Sequence, residues 1–241
     1  MPNARESDIH PVFNQAEVFR GLAAAQLAEI AARFSARTFE RGALLFLEGD
    51  PAQTYYLIAA GQLKILQTSA EGNEVILHLL GPGELVGALP TLGEGAYPAS
   101  ASALSDVTVF AISAADFEGI LSRYPAVARN LLRFAARQLQ ATHHRLRELA
   151  TERVERRIAR TLSRLAAQIG RRESEGIVLD TPLSRQSLAE LTGTTLFTAS
   201  RVLKEWERRG ILRVGREQVT ILQPHALTVI AEDLPLLDSS T

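Results

Sequence analysis

Cysteine is absent from all 241 residues. That absence excludes disulfides, thiolate zinc sites, cysteine-held iron–sulfur clusters and cysteine nucleophiles together. Any metal would have to be held by histidines and carboxylates, and the five histidines show no metal-type spacing; His143 and His144 are adjacent on a polar stretch. No glycine-rich loop precedes a lysine in the manner of a phosphate cradle, so nothing points to an enzyme. No run of 18 or more apolar residues occurs, and the N-terminus lacks a basic stretch followed by an apolar one. Neither a membrane span nor a signal peptide is therefore expected, and a cytoplasmic location is.

A chain of this length predicts two domains with a connector, each able to bury its own core. The formal net charge of −1 conceals an asymmetry. From Thr151 to Glu217 there are 14 Lys and Arg against 9 Asp and Glu, and elsewhere 12 against 18. A basic C-terminal third on a mildly acidic body fits a nucleic-acid-binding module attached to another function, although a solvated charged surface has the same totals.

Residues 16 to 34, "AEVFRGLAAAQLAEIAARF", have helical spacing, with Leu22, Leu27 and Ile30 on one face. From Ala36 to Ile112 the pattern becomes one of short β-branched and aromatic runs, including "ALLFLEG", "TYYLIAAG", "QLKILQT", "EVILHLLGPG" and "VTVFAIS". Glycines punctuate these runs often enough to predict an all-β sandwich or barrel. Helical character returns at Asp116 and continues past Tyr124-Pro125 to about Ala167. Within it Leu132, Ala135, Leu139, Thr142, Leu146 and Leu149 recur at alternating steps of three and four. This is a seam with the coiled-coil period, which predicts a two-fold partner helix and hence a homodimer; packing on its own domain is the simpler alternative. "GRRESEG", at 170 to 176, reads as a polar break. A short strand follows, then a helix over 185–192 capped by Ser184, and a second from about Thr195 to Arg209. "ILRVGREQVTIL" reads as a hairpin.

The stretch "GTTLFTASRVLK" at 193–204 carries the clearest functional signal. A helix-turn-helix needs two short helices crossing steeply, a tight turn between them, and small or apolar residues where they touch. Leu188, Ala189 and Leu191 supply the buried side of the first helix, Gly193 the turn, and Ala199, Val202, Leu203 and Trp206 the buried side of the second. Thr195, Leu196, Thr198, Ser200, Arg201, Lys204 and Glu205 remain outside. A major groove about 12 Å wide admits such a helix, with base edges read near its N-terminus. Arg201 can donate two hydrogen bonds to guanine, Ser200 can reach a base or phosphate, and Arg185 and Gln186 are placed for backbone phosphates. A helix pair of this kind also occurs as plain core architecture; the basic skew and the following hairpin, which would form a wing, favour double-stranded DNA as partner.

"LSRQSLAELTGTTLFTASRVLKEWERRGIL" resembles the helix-turn-helix of the Crp/Fnr superfamily of bacterial transcription regulators, and "LLFLEGDPAQTYYLIAAGQLKIL" resembles its β-roll sensor. The likeness extends over nearly the whole chain in the family's order. It implies an α+β architecture: a β-roll, or cyclic-nucleotide-binding-like jelly roll, with flanking helices over 1–122, a dimerisation helix over 123–150, and a winged helix-turn-helix domain over 151–241. The resemblance further implies an effector-responsive homodimer on a near-palindromic operator, in contact with RNA polymerase. By the same resemblance, an effector pocket would draw on Leu79, Gly87, Ala88, Leu89, Tyr97, Pro98, Ala99 and Ser100.

Departures from the family pattern bear on the effector. Cyclic-AMP-responsive members carry a glutamate for the ribose and an Arg-Ser pair for the cyclic phosphate, where this chain has Ala88, Pro98 and Ala99. A buried phosphate without a cation or donor is uncompensated charge, so cyclic AMP is not expected to bind. "AYPASASAL" is similar to the oxygen- and nitrogen-oxide-responsive branch, whose iron–sulfur cofactor is excluded by the missing cysteines. That branch also includes haem-based nitric-oxide sensors, to which this sequence is similar, and the resemblance makes haem a candidate cofactor and nitric oxide a candidate effector. Haem would need an axial ligand, for which His10, His78, His143, His144 and His225 are the available histidines, and Leu89 occupies the position of the carbon-monoxide sensor's haem histidine. Phe197 replaces the glutamate that family members often aim at cytosine; it can pack on a thymine methyl or lie in the core under the turn. Two further readings stay open: an effector-independent regulator controlled by abundance, and a small-molecule-binding module acting on a protein partner.

Overall fold

A computed structural model describes residues 11–68, 74–88, 95–179, 184–215 and 218–233. The chain divides into two compact units, one of Met1–Gln67 with Leu77–Thr142 and the other of Thr68–Ile76 with His143–Thr241.

The first unit is built on two four-stranded sheets. One has the order β1 (Ser35–Phe39), β8 (Val107–Ser113), β3 (Thr54–Ala60), β6 (Leu85–Val86), and the other β2 (Leu44–Phe46), β7 (Ser100–Ala103), β4 (Leu63–Thr68), β5 (Glu74–Leu80). β3 and β8 pair antiparallel from Thr54 opposite Ser113 to Ala60 opposite Thr108, with a register shift between Ile58 and Ala60. The uninterrupted apolar run of β3 has a physical reason, since its sheet is covered on both faces. Tyr56 and Ile58 pack toward Phe46, Leu63, Ala101, Val107, Val109 and Ala111 between the sheets. Tyr55 and Leu57, one residue out of phase, pack with Ile112 against helices α1 (Pro11–Gln15), α2 (Ala24–Ala31), α3 (Ala114–Arg123) and the start of α4 (Pro125–Thr151). Phe13 anchors that second layer, with ring centroids 5.2 Å from Phe34 and 5.0 Å from Phe110. Gly61 shows why turns here demand glycine: its φ is +80°, and a Cβ would lie 2.2 Å from the Asp106 carbonyl oxygen.

The second unit carries α5 (Val154–Ile169), the sheet β11 (Leu212–Val214), β12 (Val219–Ile221), β10 (Gly176–Leu179), β9 (Gly170–Glu173), and helices α6 (Arg185–Thr192), α7 (Leu196–Arg208) and α8 (Pro224–Glu232). Its core joins Ile158, Leu162 and Leu165 of α5 to Leu188, Leu203, Trp206, Leu212 and Ile221, all buried. At the end of α4, Glu148 is buried, with ion pairs to Arg160 at 3.9 Å and Arg164 at 4.0 Å; Arg160 also reaches Glu152 at 3.3 Å.

Three expectations are corrected locally. The helix expected over 16–34 is a single 3-10 turn, Glu17–Phe19, followed by a left-handed Gly21 (φ +86°) and then α2, because Val18 and Phe19 turn inward to the core. The helical stretch reaching Ala167 is interrupted at Arg153, whose extended backbone (φ −66°, ψ 149°) starts α5 anew. "GRRESEG" is no unpaired break: Gly170–Glu173 forms β9, paired antiparallel with β10 from Gly170 opposite Leu179 to Glu173 opposite Gly176. Its exposed side chains suit an edge strand, which explains why the segment reads as polar.

Candidate nucleic-acid interface

Helices α6 and α7 are held at their ends by short polar side chains. Ser184 Oγ accepts from Ser187 N–H at 2.9 Å and Thr195 Oγ1 from Thr198 N–H at 3.2 Å, each satisfying a first-turn donor. Gly193 closes α6 in the left-handed region (φ +59°, ψ 47°). A Cβ there would stand 2.6 Å from Leu149 Cδ2, so glycine is demanded both by the turn and by the side chain lying against it.

A second anchor escaped the sequence reading. Arg157 of α5 donates from Nε to the Thr192 carbonyl at 3.0 Å, from one terminal nitrogen to the Gly193 carbonyl at 3.1 Å and from the other to the Glu152 carbonyl at 2.8 Å. One guanidinium thus ties the turn between α6 and α7 to the chain just beyond α4, using carbonyls that helix ends leave without partners. "VERRIARTL" contains three arginines within five residues, and nothing in their spacing distinguishes this one.

The buried faces are as the spacing predicts. Ala199, Val202, Leu203 and Trp206 are buried, as are Leu188, Ala189 and Leu191. On the other side of α7, Thr195, Leu196, Phe197, Arg201 and Lys204 are exposed and Thr198 and Ser200 half-buried. Phe197 is 78% exposed, which rules out a core position under the turn. The Thr195 and Thr198 hydroxyls lie 3.0 Å apart. Arg201, Lys204 and Arg208 line a shallow depression of about 400 Å³ with Glu155, Val202 and Glu205. Arg208 is paired with Glu205, whereas Arg201 and Lys204 make no ion pair or side-chain hydrogen bond among the described residues. Arg185, opening α6, has a buried Nε without a partner among the described residues, and Gln186 is exposed with its amide on Glu190 at 2.7 Å.

Along α4, Leu132, Leu139, Leu146 and Leu149 are 66%, 58%, 65% and 45% exposed. Ala135 is half-buried, and Thr142 is exposed with its hydroxyl donated to the Gln138 carbonyl at 2.9 Å. Four leucines in solvent along one helix are unusual for a surface with nothing to cover it.

In the first unit, Ala88, Tyr97, Ala99 and Ser100 are buried, Leu79 and Gly87 half-buried and Pro98 exposed; Leu89 lies outside the described residues. Tyr97 stacks on Phe46 with centroids 3.8 Å apart, and its hydroxyl donates to the Thr54 carbonyl at 2.5 Å. Burial pushes its phenol up to about 12, partly opposed by the Thr54 N–H, which donates to the phenol oxygen at 3.3 Å. Ser100 Oγ accepts from Glu48 N–H at 2.9 Å. A cavity of about 210 Å³ opens elsewhere in this unit, lined by Glu17, Val18, Glu84, Leu85, Leu131 and Phe134 among others. Burial holds the Glu84 carboxyl above its ordinary 4.5; the Gly81 N–H opposes the shift and the Glu17 charge adds to it. Among the described residues no helix is long and apolar enough to cross a membrane, and no cluster of three metal-binding side chains occurs.

Two family descriptions match the chain in tandem: "Cyclic nucleotide-binding domain" over residues 36–124 and "Crp-like helix-turn-helix domain" over 156–230. The "Cyclic AMP receptor protein" of Thermus thermophilus is 34% identical over 214 residues, covering 89% of this chain and 96% of its own length. "Transcriptional activator protein anr" of Pseudomonas aeruginosa is 28% identical, covering 81% of this chain and 80% of its own. Among solved structures, FixK2 from Bradyrhizobium japonicum shares the fold at a TM-score of 0.73 and 21% identity, covering 82% of this chain and 96% of its own. The chain belongs to the Crp/Fnr family and is a DNA-binding transcription regulator with a cyclic-nucleotide-binding-type sensor domain.

Proposed function

We propose that the protein acts as a homodimer, paired through the Leu132–Leu149 stripe, which sets two copies of α7 into successive major grooves of a near-palindromic operator and there engages RNA polymerase. The observation that carries this reading is the outer face of α7, where Arg201 and Lys204 stand exposed beside hydroxyls and make no ion pair among the described residues, while the opposite face is wholly buried. Arg201 reads guanine and Ser200 and Lys204 reach base or phosphate, with Thr195 and Thr198 beside them. Arg185 and Gln186 meet the phosphate backbone. Regulators act on DNA inside the cell, so the proposed location is the cytoplasm.

The proposed effector is not cyclic AMP, although one relative carries that name. At the positions where responsive members hold the ribose and phosphate this chain has Ala88, Pro98 and Ala99, none of which offers a cation or a side-chain donor. Haem fits the described residues poorly. His143, His144 and His225 are exposed, His78 is half-buried in β5, and His10 lies outside the described residues.

Binding of the full-length protein to duplex DNA, titrated against salt, tests the reading. The expected result is a dimer by sedimentation and a steep fall of affinity with salt, reflecting several released counterions. A monomer at micromolar concentration, or salt-independent binding, would refute it. Calorimetry with cyclic AMP should give no micromolar affinity, and reconstitution with haem no Soret band.

A further inference from the structure

The first turn of α7 presents two large apolar side chains, Leu196 at 47% and Phe197 at 78% exposed; no other large apolar residue in the described chain is as open as Phe197. Leaving a phenyl in water forgoes the free energy gained by covering it. None of the described residues covers this one, and polar side chains share its stretch of α7: the Thr195 and Thr198 hydroxyls, and Arg201 one turn further along, which makes no ion pair among the described residues. Those cations specify an anionic occupant for the face as a whole, which makes the apolar tip the anomaly.

The inference rests on the reading that α7 enters a major groove. There each base edge presents donors and acceptors that a phenyl would strip of water without replacement, save for one apolar group, the C5-methyl of thymine. We infer that Phe197 is a methyl reader that selects a 5-methylpyrimidine at one position of each operator half-site. Phe197 stands where relatives often place a glutamate that accepts from cytosine N4, so the preference at that position moves from the amino group of cytosine to the methyl of thymine. The chemistry concerns the methyl alone: 5-methylcytosine offers the same contact. A cytosine there is a poor match until methylated, which makes binding sensitive to DNA methylation at that position.

The experiment selects duplexes from a randomised near-palindromic library with the full-length protein, then replaces each half-site thymine in turn by deoxyuridine, which removes only the methyl. The expected result is a loss of about fourfold per half-site at one position. In a second arm, cytosine at that position should bind weakly and 5-methylcytosine should recover the loss. Phe197→Ala, a surface change that leaves the core intact, should bind the thymine and deoxyuridine duplexes equally while keeping the wild-type salt dependence. A selected sequence without half-site thymine, a flat deoxyuridine scan on a duplex that is bound, or a Phe197→Ala protein that still loses affinity on demethylation would overturn the inference alone. Failure to bind any duplex at low salt would overturn the underlying reading and this inference with it.

Discussion

Arg201 and Glu84 show how a single charge acts in opposite settings. Arg201 is exposed and unpaired among the described residues, so removing it should cost the fold nothing while removing the proposed bidentate contact to a base. Arg201→Ala is expected to weaken specific DNA binding by about 1–3 kcal/mol and to relax preference at one base pair, as read by competition among single-base operator variants. Unchanged discrimination would remove its assigned role. Glu84 is set inward, with its carboxyl above the ordinary 4.5 because burial disfavours the charge. In the unfolded chain the proton leaves first, so between about 4.5 and the raised value the native state binds more protons and stability falls as pH rises. Glu84→Gln keeps an oxygen for the Gly81 N–H and abolishes that dependence. Denaturant melts of both proteins across the acid range should show the stability of the wild type falling relative to that of Glu84→Gln as pH rises through this window.

At the level of elements, the turn between α6 and α7 is positioned from outside. Arg157 fills the Thr192, Gly193 and Glu152 carbonyls, and Leu149 lies where a Gly193 side chain would be. Lysine has no planar fork to span three acceptors, so Arg157→Lys leaves carbonyls unpaired at a cost of about 1–3 kcal/mol. The expected outcome is a lower melting temperature for the second unit and weaker DNA binding with the outer face of α7 chemically unaltered. If Arg157→Lys left both unchanged, the clasp would be incidental. The same contact gives Leu149 two surfaces to serve, the turn and the proposed seam, at 45% exposure.

For the whole molecule, the proposal depends on two copies. Leu139 and Leu146 are 58% and 65% exposed on α4, and a carboxylate at either position would be buried without a partner in a paired seam. Leu139→Glu with Leu146→Glu is expected to sediment as a monomer. Its affinity for a near-palindrome should fall at least about 100-fold, because each recognition helix then binds without the other's effective concentration. An unaltered dimer would place the interface elsewhere.

Periodicity and residue chemistry alone dictate much of this protein. Alternating steps of three and four along α4, a glycine at 193, a serine at 184 that caps and a small apolar set at 199, 202, 203 and 206 leave little freedom, because each follows from a local rule of backbone geometry or burial. Strand β9 and the interruption at Arg153 are not legible in that way, since an edge strand is made by its neighbour and a break between helices by what its carbonyls meet. The same holds for Phe197, whose side chain reads equally well as core or tip until packing leaves it in solvent, and for Arg157, one arginine among several until the carbonyls of a turn 35 residues away come within its reach. Such roles depend on long-range neighbours, and folding alone brings those together.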